Sequence, residues 1–177
     1  MSGLAAFLPA LRRVRLLVLD VDGVLTDGRL YYGARGESLK VFHVRDGHGI
    51  KQAAAAGITL AIISGRKSAA VARRARELGI RHVTQGAGDK LAALTRLAKA
   101  QSVTLEQCAC VGDDTPDVPM LQAAGVAIAV ADAHADARAV ADLVTSCPGG
   151  RGAVREVCDW LLAARGAAQA HLAGARA

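Results

Sequence analysis

The chain has 177 residues, of which 52% are hydrophobic and 21% are charged. This composition excludes an intrinsically disordered chain, since disorder requires few apolar residues and a high net charge. The formal net charge of +6 favours an anionic ligand, but no basic run alternates with aromatic residues as a nucleic-acid-binding surface would require. We therefore expect a small anionic ligand and no nucleic-acid partner.

The N-terminal segment lacks the pattern of a secretory signal, because its short apolar stretch follows no basic residues and contains Pro9. No apolar run approaches the roughly 18 residues of a membrane-spanning helix. The cysteines, at positions 108, 110, 147 and 158, do not have the spacing of a zinc site. We expect a cytoplasmic protein in a reducing compartment, with no membrane partner.

Short apolar segments alternate with helical segments along most of the chain. The predicted strands are 14–19, 58–63, 81–84, 108–111, 126–130 and 143–145. The predicted helices are 47–56, 67–78, 90–101, 118–123, 135–140 and 153–164. Strands separated by helices form parallel crossover units. The sequence therefore predicts an α/β fold, with a Rossmann-like parallel sheet flanked by helices.

One segment breaks this alternation. The ranges 28–32 and 38–44 are strand-like and are separated by a glycine-containing loop, which predicts a β-hairpin directly after the first strand. A hairpin this small cannot bury its own face, so we expect this flap, 28–44, to pack against something else. Residues 165–177 have no periodic apolar face, and they predict a flexible tail after a single domain, 1–164.

Carboxylates follow two of the predicted strands. Asp20 and Asp22 come directly after the first strand, and Asp113, Asp114 and Asp117 follow the fourth. Ligands of open parallel sheets collect at the carboxyl ends of strands. Carboxylates that converge there persist only with a cation or with shared protons, and oxygen ligands favour Mg²⁺. One such cluster could merely cap a turn, but two at strand ends indicate a magnesium site.

Two further segments are suited to an anion. Ser64 and Gly65 end the second strand and place a hydroxyl and a backbone N–H at a predicted helix start, although an ordinary N-cap serine has the same pattern. Lys90 begins a helix after the glycine-containing range 86–89 and could face a phosphate. The range 65–68 lacks the spacing of a P-loop, which argues against an NTPase.

These residues resemble the four motifs of the haloacid-dehalogenase superfamily of phosphotransferases, over about 14–144. The matching segments are Asp20-Val21-Asp22-Gly23-Val24-Leu25-Thr26, Ser64, Lys90 and Gly112-Asp113-Asp114-x-x-Asp117. The resemblance implies that Asp20 attacks phosphorus and that Asp22 is the general acid and base. It also implies roles for the remaining residues. Mg²⁺ would be held by Asp20, Asp113 and the backbone carbonyl of Asp22. Asp114 and Asp117 would orient these ligands. Ser64, Gly65 and Lys90 would hold the phosphoryl oxygens.

The hairpin and the ranges 40–50 and 149–156 resemble a narrower family, the 3-deoxy-D-manno-octulosonate 8-phosphate phosphatases, and extend the likeness to about residue 164. This resemblance implies hydrolysis of a phosphorylated eight-carbon sugar acid, in lipopolysaccharide precursor biosynthesis, by a homotetramer. Asn is frequent in that family where this chain has His43. The predicted sugar-acid contacts are His43, Val44, Arg45, Asp46, Gly47, Lys51, Arg66 and Arg74.

Superfamily members often carry a cap domain in one of two places, and neither has room here. The range 23–63 is taken up by the hairpin and one helix, and 85–89 is a short loop. We therefore expect a capless enzyme whose subunits cover each other's sites. The alternatives are a phosphatase for a nine-carbon ulosonate 9-phosphate, a receiver-type signalling module and a catalytically silent interaction domain. Asp22 and the hairpin argue against a receiver, and the intact aspartate set argues against a silent domain.

Overall fold

The computed structural model describes residues 2–34 and 36–166 of the chain. The strands are β1 (Leu16–Leu19), β2 (Tyr31–Gly33), β3 (Gly36–Leu39), β4 (Thr59–Ser64), β5 (His82–Gln85), β6 (Cys108–Gly112), β7 (Val126–Ala129) and β8 (Leu143–Val144). The helices are α1 (Ser2–Arg13), α2 (Val44–Ala55), α3 (Ala69–Leu78), α4 (Lys90–Ala100), α5 (Val118–Ala123), α6 (Ala135–Val140) and α7 (Ala153–Ala164). Two short 3-10 helices cover Leu105–Gln107 and Thr115–Asp117.

Six strands form one parallel sheet in the order β5-β4-β1-β6-β7-β8, which confirms the predicted fold class. The central strand β1 is completely buried, and its last residue, Leu19, is in register with Ile62 of β4 and Val111 of β6. The residues that follow β1, β4 and β6 therefore leave the sheet side by side.

The sheet separates two hydrophobic cores, because successive side chains of a strand point to opposite faces. Leu17 and Leu19 pack in the larger core with residues of α1, α2, α3 and α7. Leu16 and Val18 pack in the other core with residues of α4, α5 and α6. Within the described residues, no helix is long and apolar enough to cross a membrane.

The predicted hairpin is confirmed, with shorter strands than expected. Strands β2 and β3 pair antiparallel with a register irregularity between Tyr31 and Tyr32, and both strands are largely exposed. Val44 was expected to end the second hairpin strand, but it begins α2. The apolar alternation of 38–44 continues past the point where the chain leaves its partner strand, which is why the pattern overestimates the strand.

Helix α1 is missing from the predicted elements. Its sequence contains Pro9 and has no acidic residue in the first turn, so local propensity favours it little. Packing holds it instead: Leu11 is fully buried, and the Arg12 guanidinium donates a hydrogen bond to the Ala164 carbonyl at 2.9 Å. The helix therefore depends on a partner at the other end of the chain.

Arg165, the first residue of the predicted tail, forms hydrogen bonds with two distant segments of the chain. The Arg165 guanidinium donates to the carbonyl of Ala56, just after α2, at 2.7 Å, and also to the carbonyl of Val14. Arg165 thus joins the end of α7 to the end of α2 and to the segment before β1. Residues 167–177 of the predicted tail lie outside the described residues.

We expect Leu11→Ala to destabilise the protein by about 2–5 kcal/mol, because it empties a fully buried site between α1 and the core. This corresponds to a fall in Tm of about 10 °C for a chain of this size. Leu8→Ala is the matched control, since Leu8 is 39% exposed on the same helix. Equal Tm values for the two variants in thermal denaturation would show that α1 does not pack as described.

Candidate active site

Three carboxylates converge where β1 and β6 end. Oxygen atoms of Asp20, Asp113 and Asp117 all lie within 4.8 Å of one another. Asp20 is the first residue after β1, and its backbone N–H donates to the carbonyl of Val111 in β6 at 3.1 Å. Asp20 is 5% exposed and Asp117 is 1% exposed. The parallel pairing of β1 with β6 thus places this charge in a nearly dry environment.

Lys90 supplies a positive charge to the same cluster. Its Nζ donates to Asp20 Oδ1 at 2.8 Å and to Asp117 Oδ1 at 2.5 Å. Lys90 is the first residue of α4, and the Asp89 side chain caps that helix by accepting the Ala92 N–H at 2.9 Å. The capped helix start fixes the position from which the lysine reaches the carboxylates.

Asp117 organises the loop after β6. Its Oδ2 accepts the backbone N–H groups of Asp113 at 3.0 Å and Asp114 at 3.3 Å. A Cβ on Gly112 would lie 2.6 Å from the Asp117 Cβ, so the close approach requires a glycine there. Asp114 is exposed, and its carboxylate accepts the Thr115 N–H at 2.7 Å. Both residues shape the loop that carries Asp113, consistent with the predicted orienting role.

Burial makes ionisation of the carboxylates in this cluster unfavourable. Burial raises the pKa of Asp113 to about 8, and the charges of Asp20 and Asp117 add to the rise. Burial, together with Asp117, raises the pKa of Asp20 to about 6, although Lys90 opposes this rise. Burial alone would lower the pKa of Lys90, but the two carboxylates raise it above its ordinary value. Lys90 therefore only partly offsets the repulsion, and oxygen donors this close fit a hard divalent cation such as Mg²⁺.

The Asp22 carboxylate pairs with two basic side chains, one of which directly follows the hairpin. Its Oδ1 forms an ion pair with Lys40, and its Oδ2 lies 3.8 Å from the Arg66 Nε. The Arg66 Nη2 in turn donates to the hydroxyl of Tyr32 at 3.3 Å and to Glu37 Oε2 at 3.2 Å. The predicted flap is thus connected to the predicted acid and base through Lys40 and Arg66.

Lys40, Glu37 and Tyr32 are not among the predicted site residues. Lys40 lies in the range 40–50, which carries the resemblance to the narrower family, and this was its only signal in the sequence.

A single cavity of about 240 Å³ joins the predicted residues. Its lining residues are Asp20, Asp22, Ser64, Gly65, Arg66, Lys90, Asp113, Asp114, Pro116 and Asp117. All the residues predicted for catalysis, metal binding and phosphate binding are in this set. Ser64 is the last residue of β4 and is 3% exposed where it lines the cavity.

Of the predicted sugar-acid contacts, only Arg66 lines this cavity. Arg45 lines a separate cavity of about 340 Å³ with Arg151 and Arg155. The Arg74 guanidinium lies 6.0 Å from the centre of the Phe42 ring. Val44 and Lys51 are exposed on α2. Within one subunit, these residues do not reach the carboxylate cluster.

His43, Asp46 and Gly47, three of the predicted sugar contacts, lie at the start of α2. Asp46 is 1% exposed and accepts the Arg155 N–H at 2.8 Å, which joins α2 to α7. The His43 Nδ1 lies 4.0 Å from Asp46 Oδ2 at the same helix start. A Cβ on Gly47 would lie 2.3 Å from the Arg74 guanidinium. Asp46 and Gly47 thus help to pack α2 against α7 and α3, and the predicted sugar contact of all three residues stays a prediction.

The loop that carries Asp22 is held by the segment before α7. The Gly150 N–H donates to the Val24 carbonyl at 2.9 Å. A Cβ on Gly149 would lie 1.7 Å from the Gly23 carbonyl oxygen, so no other residue fits without moving the loop. Gly23 itself has φ +93° and lies against Asp113. Asp22 and Asp113 therefore depend on backbone contacts with residues far along the chain.

Comparisons with known proteins agree with this geometry. The family profile described as haloacid dehalogenase-like hydrolase matches residues 80–155. The 3-deoxy-D-manno-octulosonate 8-phosphate phosphatase KdsC of Escherichia coli K12 is 52% identical over 153 residues, which cover 86% of this chain and 81% of that protein. The enzyme of the same name from Yersinia pestis is 48% identical over 152 residues, covering 86% and 81%.

Solved structures give the same result. The 3-deoxy-D-manno-octulosonate 8-phosphate phosphatase of Moraxella catarrhalis, in complex with a magnesium ion, a phosphate ion and a KDO molecule, has a TM-score of 0.93 and 44% identity over 96% of this chain and 97% of that chain. The cobalt-bound deoxy-D-mannose-octulosonate 8-phosphate phosphatase of Haemophilus influenzae has a TM-score of 0.87 and 46% identity, covering 89% and 92%.

The fold and the carboxylate cavity define a haloacid dehalogenase-like hydrolase. Within that class, the chain belongs to the family of the 3-deoxy-D-manno-octulosonate 8-phosphate phosphatases.

The raised pKa values predict how Mg²⁺ stabilises the fold at different pH values. The metal-free folded state binds protons at Asp20 and Asp113 more tightly than the unfolded state, so these groups favour folding at low pH and lose that contribution as the pH rises to about 8. Mg²⁺ requires the ionised carboxylates, so its stabilisation increases over the same range. We expect the increase in Tm on adding Mg²⁺ to be larger at about pH 8.5 than at about pH 6.

Differential scanning calorimetry at both pH values, with and without chelator, measures this difference. Asp136→Asn is the control, because Asp136 lies on α6 with an exposed carboxylate outside the cluster. In Asp113→Asn the dependence on Mg²⁺ should largely disappear. An equal Mg²⁺ effect at both pH values would contradict binding at this cluster.

Proposed function

We propose that this protein hydrolyses 3-deoxy-D-manno-octulosonate 8-phosphate to the free sugar acid and inorganic phosphate, in the supply of lipopolysaccharide precursor. The observation that carries the proposal is the joining of Asp20, Asp22, Ser64 and Lys90 in one carboxylate-rich cavity, in a chain 52% identical to enzymes of that name. The relatives' names favour this substrate over a nine-carbon ulosonate phosphate. Family membership and Asp22 favour a hydrolase over a receiver module.

In the first step, an Asp20 carboxylate oxygen attacks phosphorus, and the bond between phosphorus and the sugar oxygen breaks. Asp22 donates a proton to the departing sugar oxygen, so the sugar leaves as an alcohol. Ser64, the Gly65 N–H and Lys90 bind the phosphoryl oxygens as charge shifts onto them. Bound Mg²⁺, held by Asp20, Asp113 and the Asp22 carbonyl, offsets the repulsion between nucleophile and phosphoryl group.

In the second step, Asp22 accepts a proton from a water molecule, whose oxygen attacks the phosphorus of the aspartyl-phosphate. The bond between phosphorus and Asp20 breaks, which releases phosphate and restores the Asp20 carboxylate. Asp114 and Asp117 keep the Asp113 loop in place through both steps, by the hydrogen bonds that Asp117 accepts and the cap that Asp114 provides.

The proposal includes a homotetramer. The hairpin and the start of α2 expose large apolar side chains: Leu30, Tyr31, Tyr32, Leu39, Val41 and Val44. Several large apolar side chains exposed on one segment favour an interaction surface there. A neighbouring copy packed there would cover the cavity and could bring its own Arg45, Lys51 or Arg74 toward the substrate, which none of these residues reaches within one subunit.

The proposal also places a single domain, residues 1–164, in the cytoplasm. Contacts of α1 with α7 bring the two ends of that range together. All the cysteines are free thiols, and three of them are buried, which suits a reducing compartment.

We expect Asp20→Asn to reduce phosphate release by at least about 10³-fold, equivalent to about 4 kcal/mol of barrier, because it removes the attacking charge and a metal ligand. The measurement is phosphate release from a panel of phosphorylated sugars, with eight- and nine-carbon ulosonate phosphates included. Asp136→Asn is the control, since the Asp136 carboxylate is exposed on α6 outside the cluster. Retention of more than about a tenth of the activity in pure, folded protein would refute the nucleophile.

We expect Leu39→Glu to dissociate the assembly, because Leu39 is 54% exposed in the subunit and a charge there opposes burial in an interface. Light scattering should show smaller species, and kcat/KM should fall more for the sugar phosphate than for a small aryl phosphate. Leu8→Glu on the exposed side of α1 is the control. A monomeric parent protein with full sugar-phosphate activity would disprove the shared site.

A further inference from the structure

Lys40 is a buried cation for which the steps above assign no role. Its side chain is 2% exposed, and its ammonium forms an ion pair with Asp22 and lies 3.4 Å from Glu37 Oε2. The residue directly follows β3, so the hairpin backbone determines where it stands. A lysine is rarely buried without paired charges, because desolvating the ammonium is expensive. The two carboxylates therefore define one specific position for this side chain.

The two oxygens of Asp22 have different surroundings. Oδ1 contacts Lys40, whereas Oδ2 lies 3.8 Å from the Arg66 Nε on the side of the cavity. A protonated carboxyl group keeps one oxygen as an acceptor while the other carries the proton. Lys40 can therefore hold Asp22 through Oδ1 in both protonation states and leave Oδ2 free to exchange a proton.

Glu37 completes the arrangement from the same hairpin. Its Oε2 lies 3.4 Å from the Lys40 ammonium and 3.2 Å from the Arg66 Nη2. Glu37 therefore gives the Lys40 ammonium a second carboxylate partner beside Asp22. The hairpin thus fixes the orientation of Asp22 from outside the sheet, independently of the groups that hold Asp20.

We propose that Lys40 is a positioning residue for Asp22: it anchors one carboxylate oxygen so that the other faces the departing sugar oxygen and later the attacking water. The inference rests on the proposed function, because it assumes that Asp22 is the acid and base. Among the described residues, the ion pairs of Lys40 are with Asp22 and Glu37 and not with the carboxylate cluster. Its removal should disturb proton transfer and leave phosphate binding unchanged.

The test compares two substrates. An alkyl leaving group, as in the sugar phosphate, needs a proton from Asp22, whereas p-nitrophenolate departs without one. The value of kcat/KM reports only steps up to the first irreversible one, which excludes later hydrolysis of the aspartyl-phosphate. Lys40→Met should lower kcat/KM for the sugar phosphate by about 10- to 100-fold, since a displacement of about 1 Å can cost 10²-fold. It should change kcat/KM for p-nitrophenyl phosphate by less than about threefold.

Two further variants separate positioning from folding. Lys40→Arg keeps the charge and should recover most of the sugar-phosphate activity, while Lys99→Met on the exposed face of α4 should match the parent. Circular dichroism and Tm establish that each variant is folded. Equal loss on both substrates for folded Lys40→Met would overturn the inference, because a general structural defect affects both reactions alike.

The decisive measurement is a double-mutant cycle with Asp22→Asn. If Lys40 acts through Asp22, then Lys40→Met causes no further loss of sugar-phosphate kcat/KM in the Asp22→Asn background. Additive losses would overturn the inference even if Lys40→Met alone folded poorly. An Asp22→Asn variant with parental activity would instead refute the proposed acid and base, so failures of the inference and of the proposed function are distinguishable.

Discussion

The whole site depends on the mutual repulsion of buried carboxylates at the ends of β1 and β6. Asp20 and Asp117 are almost inaccessible to water, and Asp113 lies beside them. Lys90 provides one positive charge between two of these groups, which is too little for three. The folded protein must therefore offset the remaining repulsion with a bound cation, or its stability falls by that amount. The arrangement is therefore suited to binding a metal ion close to Asp20, the proposed nucleophile.

The chemistry is divided between two parts of the fold with different rigidity. The proposed nucleophile, phosphate-binding groups and metal ligands lie at the ends of the central strands and at the start of α4, beside the cores on both faces of the sheet. Lys40, which pairs with Asp22, directly follows an exposed two-stranded hairpin. In the proposed mechanism, bond formation at phosphorus therefore takes place beside the buried core, and the group proposed for proton transfer contacts a peripheral segment.

The parts of this structure that follow from local pattern were predictable from the sequence. Apolar runs separated by helical segments defined the parallel sheet, and parallel strands necessarily place the residues after β1, β4 and β6 together. The parts that depend on distant partners were not predictable. Helix α1 needs α7, and Arg165 needs carbonyls more than a hundred residues away. Lys40 pairs with Asp22 through a hairpin whose orientation no periodicity encodes. The burial of Asp46 between α2 and α7 likewise does not follow from the local sequence pattern.

The contact between Gly149–Gly150 and the loop after β1 has a consequence for synthesis of the chain. The residues that hold Asp22 in place are joined to the growing polypeptide more than a hundred positions after Asp22 itself. Until these residues leave the ribosome exit tunnel, the Val24 carbonyl lacks its hydrogen-bond donor, the Gly150 N–H. The Gly23 carbonyl likewise lacks its packing contact with Gly149. A nascent chain can therefore pair β1 with β4 and β6 before the Gly149–Gly150 contact stabilises the loop that carries Asp22.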